Sequence, residues 1–410
     1  MHEARIRARA RALPPAFLQE IGRPDLSPVE VHAAVAGLIV LRVIDRWVAA
    51  GCRPAGELSG ARAAVEGMDV GNPARAILGA LLDAVAAGGS DGAQDGVRQL
   101  MAYGRHLEFE AKWELALDVY RVVVDYGAVA SSSETVCDAW LRSGSCCRTQ
   151  GNYDAAQAAY GEAARLAALS GDLERTLRAE LGPALIARAH GSLDEADRLL
   201  AAIATSADAA GLNAVLSQVL HDRAVIAAMR GAPVVAAVQL AFRALDLSPT
   251  SAERDQILYD IGETLRVAGM RSAARDAFLV ISCTAESRTV RCWAGIMLMR
   301  IAADDGAREN FQQYRRALDH TQFSPELRIE YYIQSGYSLR ALGDLPGSEA
   351  ALREAVQCAE QHGHVQQLMV ARQAVAGAAD AAPAPAPEDL DGLLAVIDAL
   401  RLMRETAVPG

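Results

Sequence analysis

Residues 137–163 read CDAWLRSGSCCRTQGNYDAAQAAYGEA. Trp140 and Gly144 are four residues apart, so on a helix they share one face. Gly144 has no side chain, which lets a second helix close on the first at that point. Gly151-Asn152-Tyr153 breaks the helix and turns the chain. Ala156, Tyr160 and Ala163 follow at i, i+4 and i+7, one narrow stripe of the returning helix. The alanines let it lie close, and Tyr160 fills the space left between them. This stretch predicts a helical hairpin.

The same spacing recurs along the chain. Aligned on Ala156, the series runs Ala116, Ala156, Ala196, Ala237, Ala274, Asn310 and Ser348. Four residues further on stand Tyr120, Tyr160, Leu200, Ala241, Phe278, Tyr314 and Leu352. Glycines matching Gly144 are Gly104, Gly262 and Gly336, and turn glycines matching Gly151 are Gly191, Gly269 and Gly343. In this order of residues the chain resembles the tetratricopeptide repeat, strongly at 137–163 and well at 255–281 and 329–355. Among the repeats only the second keeps the tryptophan, and steps of 36 to 41 residues exceed that family's 34. The resemblance implies an all-α, right-handed solenoid of about seven helix pairs over residues 97–361. It also implies that partners lie along a concave groove lined by the first helix of each pair.

The flanking segments read as follows. Residues 1–96 form an N-terminal helical region or cap, with Ser27-Pro28 and Asn72-Pro73 as helix starts and Gly88 to Gly92 as a loop. Residues 362–378 make a capping helix, 379–387 an Ala/Pro linker and 388–405 an amphipathic helix. Leu390, Leu393, Ile397 and Leu400 give that last helix an apolar seam too short to stand alone. It is expected to dock on the last repeats of its own chain, or to pair two copies as a homodimer.

Composition narrows the function. Of 410 residues, Lys+Arg make 40 and Asp+Glu 51, for a formal net charge of -11. An acidic chain works against nonspecific binding of nucleic acid. A helix-turn-helix around residues 43–64 would offer only Arg62 to read bases. The alternating Arg5, Arg7, Arg9 and Arg11 lead into Leu13-Pro14-Pro15 without an apolar core, so no secretory signal is read there. No run is long enough to span a bilayer, and a cytoplasmic protein is the expectation. The seven cysteines show no metal spacing, and no phosphate loop, zinc helix, dinucleotide fingerprint or nucleophile elbow appears. No enzyme, metal or cofactor is therefore expected. The reading is a scaffold or adaptor for a protein or peptide. The alternative is a transcriptional or signalling regulator whose repeats sense a peptide.

The candidate contact residues lie on the first helices: Arg105, Arg148, Arg188, Arg266, Tyr337 and Arg340. Arg148, Arg188, Arg266 and Arg340 hold the same repeat position. A row of guanidinium groups suits an acidic or C-terminal carboxylate ligand. The competing explanation is that arginine near a helix C-terminus complements the helix dipole. The family's Lys-and-Asn clamp is not matched, since the single lysine is Lys112.

Overall fold

The computed structural model describes residues 14–24, 26–50, 55–129, 132–320, 323–362, 364–377 and 391–407. The four N-terminal arginines, Gly51 and the Ala/Pro linker lie outside the described residues. Among the described residues every regular element is an α-helix, and the chain divides into two compact units at Gly191.

Unit 1 holds α1 (Pro15–Ile21), α2 (Pro28–Ala50), α3 (Ala55–Glu66), α4 (Pro73–Ala87) and α5 (Gly89–Phe109). It continues with α6 (Trp113–Val129), α7 (Ser133–Thr149), α8 (Tyr153–Ser170) and α9 (Leu173–Ala189). Consecutive helices pack on one another, and α1 and α2 also cover α6. One core runs from Phe17 and Ile44 through Leu81 and Leu100 to Tyr120. Asn72 caps α4 as its Oδ1 accepts from Ala74 N at 2.9 Å. The expected loop at Gly88 to Gly92 shrinks to Gly88 alone, and the division at residue 96 falls inside α5. Gly88 and Gly89 make the turn at φ 64° and 72°, and Gly92 serves packing: a Cβ on it would stand 2.6 Å from the Ala84 carbonyl of α4.

Unit 2 holds α10 (Leu193–Ala209), α11 (Asn213–Met229), α12 (Val234–Leu247), α13 (Ser251–Val267), α14 (Arg271–Thr284) and α15 (Arg288–Asp304). It continues with α16 (Arg308–Ala317), α17 (Pro325–Ala341), α18 (Leu345–His362), α19 (Val365–Val375) and α20 (Asp391–Ala407). Here too most neighbours in sequence are neighbours in space through α19, while α15 carries both α16 and α17. A further exception is α20, which packs on α14 and α12 rather than on the last repeats. Its buried residues are Leu393, Val396 and Leu400, with Ile397 half-buried. The seam thus turns by one residue from the one expected, toward Val396.

The hairpin expected at 137–163 is α7 and α8. Asn152 caps α8, its Oδ1 accepting from Ala155 N at 3.2 Å. Gly151 takes φ 76°, the left-handed region that a side chain disfavours. The equivalent turn between α5 and α6 places Ala111 there, at φ 57°. A non-glycine residue in this region costs about 1–2 kcal/mol, partly offset by the stiffer unfolded chain of alanine. Ala111→Gly is therefore expected to raise stability by roughly 0.5–1 kcal/mol. A urea melt of the variant with an unmoved or lower midpoint would contradict it.

Candidate functional site

The first helices are held against their partners by glycine sockets. A Cβ on Gly144 would stand 2.8 Å from the Tyr160 ring, and one on Gly262 2.8 Å from Phe278. Gly104 receives Tyr120 and Gly336 receives Leu352 in the same way. These are the four glycine positions read from the sequence. Arg148, Arg266 and Arg340 stand four residues after Gly144, Gly262 and Gly336, so they lie on the socket side of their helices, while Arg142 and Arg175 point away from it.

In unit 1 two arginines are tied between successive first helices. Arg142 of α7 reaches Glu108 of α5 at 3.3 Å, and Arg175 of α9 binds Asp138 of α7 at 2.8 and 3.1 Å. Arg105, on α5, is exposed. Arg148, at the end of α7, is half-buried beside the Tyr160 hydroxyl. Its Nε is buried without a hydrogen-bond partner. Arg188 takes the same place at the end of α9 and is half-buried.

In unit 2 the corresponding arginines are engaged by the fold. Arg266 is clasped by Glu263, one turn back, at 2.9 and 3.2 Å. Arg340 donates to the Ala374 carbonyl in the last turn of α19 at 2.9 Å, where cations suit the helix dipole. Tyr337 is buried, with the Arg300 guanidinium 5.0 Å over its ring. Arg300 was not singled out in the sequence. It is 7% exposed and binds Asp304 at 2.9 Å and Gln334 Oε1 of α17 at 3.2 Å. His221 of α11 meets Asp260 of α13 at 2.6 Å.

A second arginine series also escaped the sequence reading. Arg254, Arg291 and Arg328 each begin a first helix and reach back to carbonyls of the segment before it. Arg254 binds Leu245 O, Arg291 binds Glu286 O and Arg328 binds Phe323 O, each at 3.0 Å. Their spacing of 37 residues was the available signal. Both series show arginine stitching one hairpin to the next.

Nucleophile and metal chemistry have little material to work with. Burial pushes the Cys137 thiol up to about 11 and raises Cys146 and Cys147 as well, so these sulfurs stay protonated. Among the described residues no group of three or more His, Cys, Asp or Glu is placed to hold a metal. No helix among them is long and apolar enough to cross a membrane.

No protein-family model matches the sequence, and no curated protein does. Solved structures do. The chain is similar to the Rap conjugation gene regulator of the plasmid pLS20 in complex with the Phr* peptide. The match has 13% identity, covers 82% of this chain and 97% of that one, and gives a TM-score of 0.52. This chain shares that fold, a tetratricopeptide-like array of helix pairs. The apo form of the quorum sensor NprR from B. thuringiensis also matches, at 11% identity and a TM-score of 0.46, over 83% of this chain and 91% of that one.

Proposed function

We propose that this chain is a non-enzymatic helical-repeat protein that binds a peptide, or a peptide-like segment of a partner, along its first helices. The observation that carries the reading is the fold: an array of helical hairpins in which each first helix is socketed on its second through a glycine or small residue. The fold it shares with a conjugation gene regulator solved with a peptide favours the peptide-sensing form of this function. Within unit 1 the contact set is Arg105, Arg148 and Arg188, and the ligand carries negative charge. Arg105 is the exposed member of the set, and Arg148 and Arg188 are half-buried. Arg266, Tyr337 and Arg340 are the candidates in unit 2.

The test is an array of short acidic, neutral and basic peptides probed with the purified chain. Capture is expected to favour the acidic set. The double change Arg105→Glu and Arg148→Glu is expected to remove most of that capture while circular dichroism stays helical. Capture without charge preference, or unchanged by the double variant, would leave these arginines a purely structural role.

A further inference from the structure

The outer faces of the second helices differ in one register position. Two residues after the repeat alanine, α8, α10, α12, α16 and α18 carry Ala158, Arg198, Gln239, Gln312 and Ala350, all exposed. At the same position α6 carries Asp118 and α14 carries Asp276, which are 5% and 7% exposed. Each of these carboxylates is flanked on its own face by buried apolar residues. On α6 they are Leu115 and Val122, and on α14 they are Ala273 and Val280. Each is covered by a helix from one end of the chain. Asp118 accepts from the free Ala16 N–H at the start of α1, at 3.0 Å. Asp276 binds Arg404 of α20, Nη1 to Oδ1, at 3.0 Å.

The furrow on α12 and α14 is thus a built receptor for a helix. Leu393, Val396 and Leu400 are buried to 0, 4 and 0% exposure, an apolar set at i, i+3 and i+7. Arg404 stands four residues beyond, one turn on, and meets the carboxylate. Gln239 of α12 donates to the Gly392 carbonyl at the other end, at 3.3 Å. Apolar anchors at helical spacing with a terminal ion pair are the means by which amphipathic helices dock in grooves. The helix is joined to α19 by residues 378–390, which fixes it as a tethered ligand.

We propose that the α12–α14 furrow is a helix-docking site that α20 occupies in cis. Its other ligand is an amphipathic helix of a partner protein with three apolar residues at i, i+3 and i+7 and an arginine at i+11. This site is separate from the peptide contacts on the first helices. The tether sets the competition. A covalent tether holds its ligand at an effective concentration on the order of millimolar, so a free helix at micromolar concentration enters only when α20 is displaced.

The probe is a labelled synthetic peptide of residues 388–407, titrated by fluorescence anisotropy into the full-length chain. In the full chain carrying Leu393→Asp and Leu400→Asp, α20 is detached and the peptide is expected to bind at least about tenfold more tightly than to the unaltered chain. Adding Asp276→Arg to that chain is expected to weaken binding by about tenfold, and a peptide with Arg404→Glu to recover it. This charge exchange separates a lost contact from a misfolded variant. Failure of the unaltered peptide to bind the detached chain would overturn the proposal. So would binding that is indifferent to Asp276→Arg. Light scattering of the unaltered chain supplies a third outcome. Twice the chain mass, lost on Leu393→Asp with Leu400→Asp, would make a second copy the occupant and overturn cis residence.

Discussion

Tyr160→Ala is expected to lower the stability of unit 1 by about 3–5 kcal/mol. Tyr160 is 6% exposed and serves three helices at once. Its ring lies against Gly144 of α7 on its own hairpin and against Gly182 of α9 on the next. A Cβ at Gly144 would come within 2.8–2.9 Å of ring carbons, and one at Gly182 would overlap the ring. Such a socket cannot collapse when the ring is removed, because its walls are helix backbones that have no side chains to relax inward. Tyr160→Phe is expected to cost only about 1 kcal/mol, the worth of the hydroxyl contact with Arg148. Gly182→Leu is expected to cost about 1–3 kcal/mol or more by overpacking. In the Tyr160→Ala background the same leucine should cost much less, since it then has room. Urea melts of the four corners of this cycle give the coupling directly. A Tyr160→Ala cost below about 1 kcal/mol, or additive changes, would show that the ring is not the pillar of this repeat.

The sockets show which part of the fold the sequence makes legible. Gly144, Gly104, Gly262 and Gly336 were readable because each pairs with a large residue at fixed spacing on the following helix. Gly182 was not, since its partner Tyr160 precedes it and belongs to the previous hairpin. Trp140, the most conspicuous residue of the repeat, turns out half-buried, packed on Ala163, Ala167 and Ala179. Gly88 to Gly92 looked like a loop because glycine breaks helices on propensity; close packing of α5 on α4 overrides that. The seam of α20 was legible as a need for a surface, but not the address. That address lies in Asp276 and Gln239, whose importance appears only when their register is compared with the exposed residues of the other second helices. The arginine row was legible as spacing. Its occupants in unit 2 were half legible: Glu263 stands three residues before Arg266, whereas the Ala374 carbonyl that holds Arg340 is a matter of how α19 packs.

Arg300→Ala is expected to destabilise unit 2 by about 3 kcal/mol, although Arg300 is far from any terminus and absent from the repeat signature. A guanidinium that is 7% exposed loses nearly all of its water. The fold returns that loss through Asp304, Gln334 Oε1 and the face of Tyr337. Gln334 in turn donates to Glu330 at 2.8 Å, so one side chain orders two first helices, α15 and α17. Removing it leaves Asp304 and the Gln334 oxygen short of a donor in a place with little water, and breaking such a group costs more than the pair contributed. Arg300→Met separates the two effects. It keeps the packing over Tyr337 and deletes the charge, so it should cost less than alanine yet still more than about 1 kcal/mol. Arg300→Lys should fall between them, since an ammonium cannot reach both oxygens from fixed fork geometry. The double variant Arg300→Met with Gln334→Leu removes donor and acceptor together and is expected to recover part of the loss. Thermal melts read the series. If Arg300→Ala melts within two degrees of the unaltered chain, the contacts of Arg300 contribute no net stability, and α15 and α17 are held by their apolar surfaces alone.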